Sequence, residues 1–362
     1  MSIYTKIIEY KPFDETFNNY LIIEIYGEKI NHVILNTIRR TILELIPIYA
    51  FDKLDIDISI NTSIYNNDYM RLRLSQFPII GIDNDIKNIE RINDLEYYAT
   101  LSHYEQKNED LEFLEQKEHD IKLEKALNFI MYINIKNTTS SILNVTTNEK
   151  YTTYKYQGKN INSPYPKELL IIKLKPGEEF KCIAISSINI GLKNANYIPT
   201  SVCVFSEIDE KPKKYHLNIE SLKQLSEIEI IIRACGIIEI KLNSFLKILT
   251  DKIKEYKSNN SNVSNDTFEY GNKILEDHRI KGIITIENES HTYGNLICRF
   301  LQDHSNITYA GYKIDNLLKK ELTFAYHTDG TDILHIIKES LNDAKLVYKT
   351  IRSQLEKIKL PN

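Results

Sequence analysis

Apolar and polar residues follow one spacing and then another along this chain, and one succession of spacings occurs twice. Residues 20–28 (YLIIEIYGE) and 280–288 (IKGIITIEN) are rich in β-branched and aromatic side chains, which predicts strands. Soon after each comes a residue, Asn31 or Ser290, whose side-chain oxygen can accept the free amides of a first helical turn. Helical spacing follows. In the first copy Val33, Thr37 or Ile38, Ile42 and Leu45 share a face and Pro47 ends the helix. In the second, Leu296, Phe300 and Leu301 form the buried stripe before DHSN closes it. Residues 53–60 (KLDIDISI) then predict a strand with Asp55 and Asp57 on one face and Ile56 and Ile58 on the other. In the second copy, 307–314 and 320–330 predict two strands around a polar turn.

The second copy finishes in a long amphipathic helix, where Ile333, Ile337, Leu341, Ala344, Tyr348, Ile351, Leu355 and Ile358 recur at steps of three and four. The unit is therefore strand, helix, hairpin, long helix, within 278–362. The first copy has no comparable helix until 236–257, where Leu242, Phe245, Leu246, Leu249, Ile253 and Tyr256 fall on one face. What lies between must then be a domain inserted into the first copy. The expected fold is α+β, with two like dimerisation modules paired as a pseudo-dimer within one chain. Residues 1–90 and 209–257 form the first module and 278–362 the second. Residues 91–208 are inserted, β-rich from about 127, with strand patterns separated by turn letters such as KPGE and NSPYP. The Ser/Asn run YKSNNSNVSND at 256–266 makes 258–277 the linker. The charge-laced stretch 104–126 reads as a solvated helix or a connector.

The repetition extends to polar positions. His32, Asn36, Ile38 and Arg40 recur as His291, Asn295, Ile297 and Arg299, each 259 residues further on. The long C-terminal stripe can be core of its own module or a seam against another helix. Its length exceeds what one four-element module needs, which favours a seam with the helix at 236–257. Two copies of one fold would then form a dimer inside one chain, related by pseudo-two-fold symmetry, with the linker holding the second copy near the first.

Charge adds little to this picture. Lys and Arg total 46 against 50 acidic residues, so no basic excess points to nucleic acid. The four cysteines, Cys182, Cys203, Cys235 and Cys298, lie too far apart for a zinc knuckle or a dense disulfide framework. Phosphate loops, nucleophile elbows and HExxH pairs are missing. His103 with His119, or His327 with His335, could be imagined as ligand pairs, but histidines on polar segments are more simply solvated. Lys211, Lys213 and Lys214 beside Tyr215 are better read as a solvated turn than as a phosphate contact. Neither a secretory leader nor a membrane-spanning run is visible, and the expectation is an intracellular protein. Arg39 and Arg40 differ from these, because adjacent guanidinium forks early on an amphipathic helix suit carboxylates of a partner chain.

At these residues a family resemblance becomes visible. NHVILNTIRRTILELIPIYAFDKLDI (31–56) resembles the α-motif of RNA polymerase assembly subunits, and SHTYGNLICRFLQDHSNITYAGYKI (290–314) resembles the corresponding segment of the smaller partner. RLRLSQFPI, KLKPGEEF, NANYIPTSVCVFSEID and YHLNIESLKQLSEIEIIIRACGII are similar to further stretches of the larger subunit. The whole resembles a fusion of the third and eleventh subunits of eukaryotic RNA polymerase II, equivalent to archaeal subunits D and L and to the bacterial α dimer, as in large cytoplasmic DNA viruses.

The resemblance implies a noncatalytic assembly platform that binds the second-largest and largest polymerase subunits, with small assembly subunits as further candidates. It would touch DNA only through the complex and work in the host cytoplasm and the virion. It places Asn36, Arg39 and Arg40 at the large-subunit interface. His291, Gly294, Asn295, Arg299 and Phe300, with Leu242, Phe245, Leu249, Ile337, Leu341, Ile351 and Leu355, would serve dimerisation. Isolated Cys182 and Cys203 stand where some relatives carry a cysteine cluster, so no metal or other cofactor is expected. Leu35 replaces in the first copy the glycine kept as Gly294 in the second. The alternative is a stand-alone interaction or transcription-regulatory module on the same fold.

Overall fold

The computed structural model describes residues 3–12, 19–80, 129–156, 158–210, 213–258, 271–274, 280–286, 289–314 and 321–358. Strand β2 (Tyr20–Gly27) alternates as its sequence suggests, with Leu21, Ile23 and Ile25 fully buried on one face. It leads into helix α1 (His32–Leu45), whose N-cap Asn31 accepts the amides of Val33 at 3.0 Å and Ile34 at 3.2 Å. Pro47 follows the C-cap Ile46 and stops the helix. In the second module β13 (Ile280–Ile286) leads into α4 (His291–Gln302). There Ser290 occupies the N-cap position but its side chain makes no capping bond, contrary to the expectation from its hydroxyl.

Each module completes itself with an edge strand, a hairpin and a long helix. The first uses β1 (Ile3–Lys11), the hairpin β10 (Thr200–Glu210) and β11 (Lys213–Ser221), and α3 (Glu227–Ser258). The second uses β12 (Gly271–Ile274), the hairpin β14 (Ile307–Ile314) and β15 (Leu322–Thr328), and α5 (Ile333–Leu355). Strand order is β1-β2-β11-β10 in one sheet and β12-β13-β15-β14 in the other, so the two sheets have the same topology. All pairings within them are antiparallel. The edge strands depart from the sequence reading. The sequence pattern predicts no strand at 3–11, and β12 lies inside the expected linker 258–277. Both pair through their backbones with a neighbour, which needs no continuous apolar face.

Between α1 and β10 the chain builds a separate five-stranded sheet in the order β3-β9-β4-β6-β7, formed by β3 (Ile48–Asn61), β4 (Phe129–Lys136), β6 (Thr152–Tyr156), β7 (Lys159–Ile161) and β9 (Glu179–Asn189). A two-stranded sheet of β5 (Leu143–Thr146) and β8 (Leu170–Leu174) and the helix α2 (Asn67–Ser75) accompany it. The strand expected at 53–60 therefore pairs in the insert rather than in the first module, and the strand at 200–210 pairs in the module rather than in the insert. Nor is β3 a regular strand: Phe51 pairs with Ser186 and Ile56 with Ala184, so residues 52–55 leave the ladder. An aromatic chain, Phe51 to Phe129 (5.9 Å), Phe129 to Tyr154 (5.8 Å) and Tyr154 to Tyr165 (6.0 Å), fills the insert's core. The charged stretch 104–126 and most of the linker run lie outside the described residues.

The insert is pressed onto α1 where β9 ends. Leu192 N–H donates to the Glu44 carbonyl at 2.9 Å, and a Cβ added at Gly191 would lie 2.0 Å from the backbone oxygen of Leu43. Only glycine allows this approach. Gly191→Ala should therefore cost about 1–3 kcal/mol by forcing the helix and the insert apart, seen as a lower urea midpoint. An unchanged midpoint would mean that this junction yields freely.

Candidate assembly interface

The two modules meet through their helices, α3 against α5 and α1 against α4. Phe245 of α3 packs edge-on against Phe324 of β15, with ring centroids 6.4 Å apart and an interplanar angle of 83°. Phe245 and Leu249 from the first module and Ile337, Leu301 and Tyr326 from the second surround a void of only about 10 Å³, at the lower limit for one water. Leu242, Leu341, Ile351 and Leu355 are completely buried. Polar contacts tie the rim. Lys345 Nζ donates to Asn243 Oδ1 at 3.0 Å, and Lys29 pairs with Asp343 at 2.6 Å. At the far end Gln354 Nε2 donates to the carbonyl of Ile3, and Thr5 donates to Gln354 Oε1 at 3.1 Å. The last turn of α5 is thus fastened to the first strand of the chain.

A polar cluster sits inside this seam, and sequence reasoning missed it. Lys241 of α3 is 6 % exposed, with its ammonium 4.8 Å from the ring centroid of Tyr293 on α4. The Tyr293 hydroxyl lies 3.4 Å from that of Thr41 on α1, and burial pushes its phenol well up from the ordinary range. Burial likewise raises the Glu44 carboxyl, opposed by the charges of Arg40, Arg39 and Lys241. A signal was available: a lysine interrupting the apolar stripe four residues before Phe245, and a tyrosine where the first copy has Ile34.

The raised Glu44 gives a sign to the pH response. A carboxyl whose folded pKa exceeds its unfolded value favours folding when protonated, and that contribution is lost as pH rises through the folded pKa. Lys241→Met removes a cation that opposes the shift. The variant should lose stability relative to the parent as pH climbs from about 4, measured by urea unfolding across that range. A difference that stays flat with pH would contradict this coupling.

On the outward side of α1, Asn36 Oδ1 accepts both Nε (3.2 Å) and Nη2 (3.0 Å) of Arg39. Arg40 pairs with Glu44 one turn on, and its side chain is 43 % exposed. The second copy repeats the step, with Arg299 to Asp303 at 3.0 Å. His291, Asn295 and Arg299 lie along the outer stripe of α4, and His291 packs against Tyr312 of its own module at 5.9 Å. The structure does not bring His291 or Asn295 onto the α3–α5 seam, whereas Arg299 lines a cleft between the modules with Lys29 and Asn31 of the first. Gly294 makes room for its own hairpin: an added Cβ would lie 2.7 Å from Leu322 Cδ1 and 2.9 Å from Tyr312 Cδ2. Phe300 is buried at the junction of the modules, lining a cleft with Lys29 and Asn31 of the first.

The chemistry of these surfaces is that of packing and charge. All four cysteines are buried and free, and burial pushes the Cys182 and Cys203 thiols up to about 12, leaving them protonated at neutral pH. His335 and His304 both pair with Glu339, at 3.3 and 2.9 Å, while His327 packs at a tilt against Tyr309 with ring centroids 5.2 Å apart. Among the described residues no group of three His, Cys, Asp or Glu side chains is arranged to hold a metal ion, and no helix is long and apolar enough to cross a membrane.

Comparison with known proteins gives this arrangement its context. Residues 24–242 match the RNA polymerase Rpb3/Rpb11 dimerisation domain, and residues 281–354 match a second family description of the same domain. The first match runs across the insert; the second covers the C-terminal module. A protein of Acanthamoeba polyphaga mimivirus described as the DNA-directed RNA polymerase subunit R470 is 25 % identical over 335 residues, covering 90 % of this chain and 87 % of that protein. With one such domain in each half and the halves packed helix on helix, the chain belongs to the Rpb3/Rpb11 dimerisation-domain family of RNA polymerase.

Proposed function

We propose that this chain is the noncatalytic assembly platform of a multisubunit DNA-directed RNA polymerase. It supplies both halves of the α-like pair and binds the second-largest and largest subunits. The observation that carries this reading is the pairing of two family domains inside one chain, which leaves the Asn36, Arg39 and Arg40 stripe of α1 facing outward. The similarity to a polymerase subunit of a large DNA virus supports a cytoplasmic place of work and, by extension, packaging in the virion. The chain does none of the nucleotidyl transfer itself and reaches DNA only through its partners.

Affinity purification of the tagged chain from its native source, with quantitative mass spectrometry and a promoter-independent transcription assay, tests the proposal. The two large polymerase chains should copurify in near-equal amounts and the eluate should make RNA. A chain recovered alone, without synthesis, would favour a stand-alone interaction module on the same fold.

A further inference from the structure

We propose that Thr41, Lys241 and Tyr293 are the residues that make the seam heterotypic, so that the first half pairs with the second half and not with the first half of another copy. The inference rests on the packing of the two halves and is independent of the polymerase reading.

Like modules that meet about a pseudo-two-fold axis can also meet as identical pairs, because each half presents nearly the same surface. Two copies of this chain could then close into a dimer in which first half pairs with first half and second with second. What opposes this must lie where the two copies of the motif differ. The constant offset of 259 residues identifies the places. Thr41 and Tyr293, whose hydroxyls lie 3.4 Å apart, correspond to Phe300 and Ile34. A polar pair thus occupies one side of the axis, and the positions equivalent to it on the other side are both apolar. All four side chains are buried.

Identical pairing breaks both matches. Between two first halves Ile34 takes the place of Tyr293, and the Thr41 hydroxyl faces an aliphatic side chain. Between two second halves Phe300 takes the place of Thr41, and the Tyr293 hydroxyl faces a phenyl ring. A buried hydroxyl separated from its partner carries a desolvation cost. Lys241 enlarges the difference. Its ammonium lies 4.8 Å from the Tyr293 ring centroid in a buried position, and between two first halves that ring gives way to Ile34, which has no π face to receive a cation. Glu44 belongs to the same half as Lys241 and accompanies it in either pairing, so it does not discriminate. Specificity arises here as a penalty against the wrong partner as much as from contact with the right one. A closed dimer of identical pairs would carry that penalty in both of its seams.

Native mass spectrometry of the purified full-length chain over a series of concentrations tests this. The parent should be monomeric. Tyr293→Ile makes position 293 the same as position 34, and the dimer fraction at a given concentration should rise at least about tenfold, the scale of one desolvated cation–π contact. Lys241→Met keeps the length of the side chain and removes the cation. It should raise the dimer fraction in the same direction, and it decides the matter if the isoleucine variant does not fold. Lysine cross-linking of mixed heavy-isotope and light-isotope chains then identifies the pairing. Identical pairing should join the exposed Lys247 of α3 to Lys247 of another copy. A heterotypic seam would instead join Lys247 to Lys345, which already reaches Asn243 on the preceding turn. Dimer fractions at the parent's level in both variants, or dimers joined through Lys247 and Lys345 of different copies, would overturn the proposal.

Discussion

Phe245→Ala should cost about 3–5 kcal/mol of stability, the usual range for removing a buried aromatic side chain. Phe245 is 4 % exposed, lies edge-on to Phe324 and helps enclose a void of only about 10 Å³. The ring contributes apolar area and the edge-to-face contact, and its loss opens a cavity that α3 and the sheet and helices of the second module cannot readily collapse. Because the two rings belong to different modules, a double-mutant cycle with Phe324→Ala reports directly on coupling between halves. The interaction should be about 0.5–1.5 kcal/mol. Urea unfolding of the two single variants and the double variant measures it. Strict additivity would mean that the modules do not share this seam in solution.

Arg39→Glu should leave the fold standing and weaken binding of the large polymerase subunits by at least about tenfold, the scale of one interfacial charge reversal. The Arg39 fork is held by Asn36 on the outer face of α1, where a reversed charge meets a partner before it meets the core. Arg40 requires a gentler change. It pairs with Glu44, whose carboxyl is already raised by burial, so Arg40→Glu would set two carboxylates together and confound binding with stability. The informative pair is Arg39→Glu with Arg40→Gln, followed by incorporation into polymerase and by the urea midpoint. Normal incorporation at an unchanged midpoint would remove these arginines from the interface.

The sequence disclosed the parts of the fold in which local periodicity and burial coincide. The β2–α1 and β13–α4 successions, the hairpin at 307–328 and the stripe of α5 are all local patterns with one buried face. Sheet membership is another matter. The alternation of β3 is the same whether it pairs with β9 or with a strand of the first module, and only long-range backbone pairing decides. The two edge strands were hidden for a related reason: backbone bonds hold them, and β12 is only four residues long. The candidate site divides in the same way. The outer arginines stood out as adjacent guanidinium forks early on an amphipathic helix, and Arg299 repeats the position of Arg40. Lys241 sits within an apolar run, where Glu44 becomes its neighbour only once the first module is folded and Tyr293 only once the two halves pack together.

The central claim is that one chain supplies both members of the α-like pair. Native mass spectrometry of the purified polymerase tests it most directly, by counting copies of this chain. One copy per complex, alongside one each of the largest and second-largest subunits, is the predicted result. Two copies per complex would mean that pairing occurs between chains, and would contradict the intramolecular seam on which the account is built.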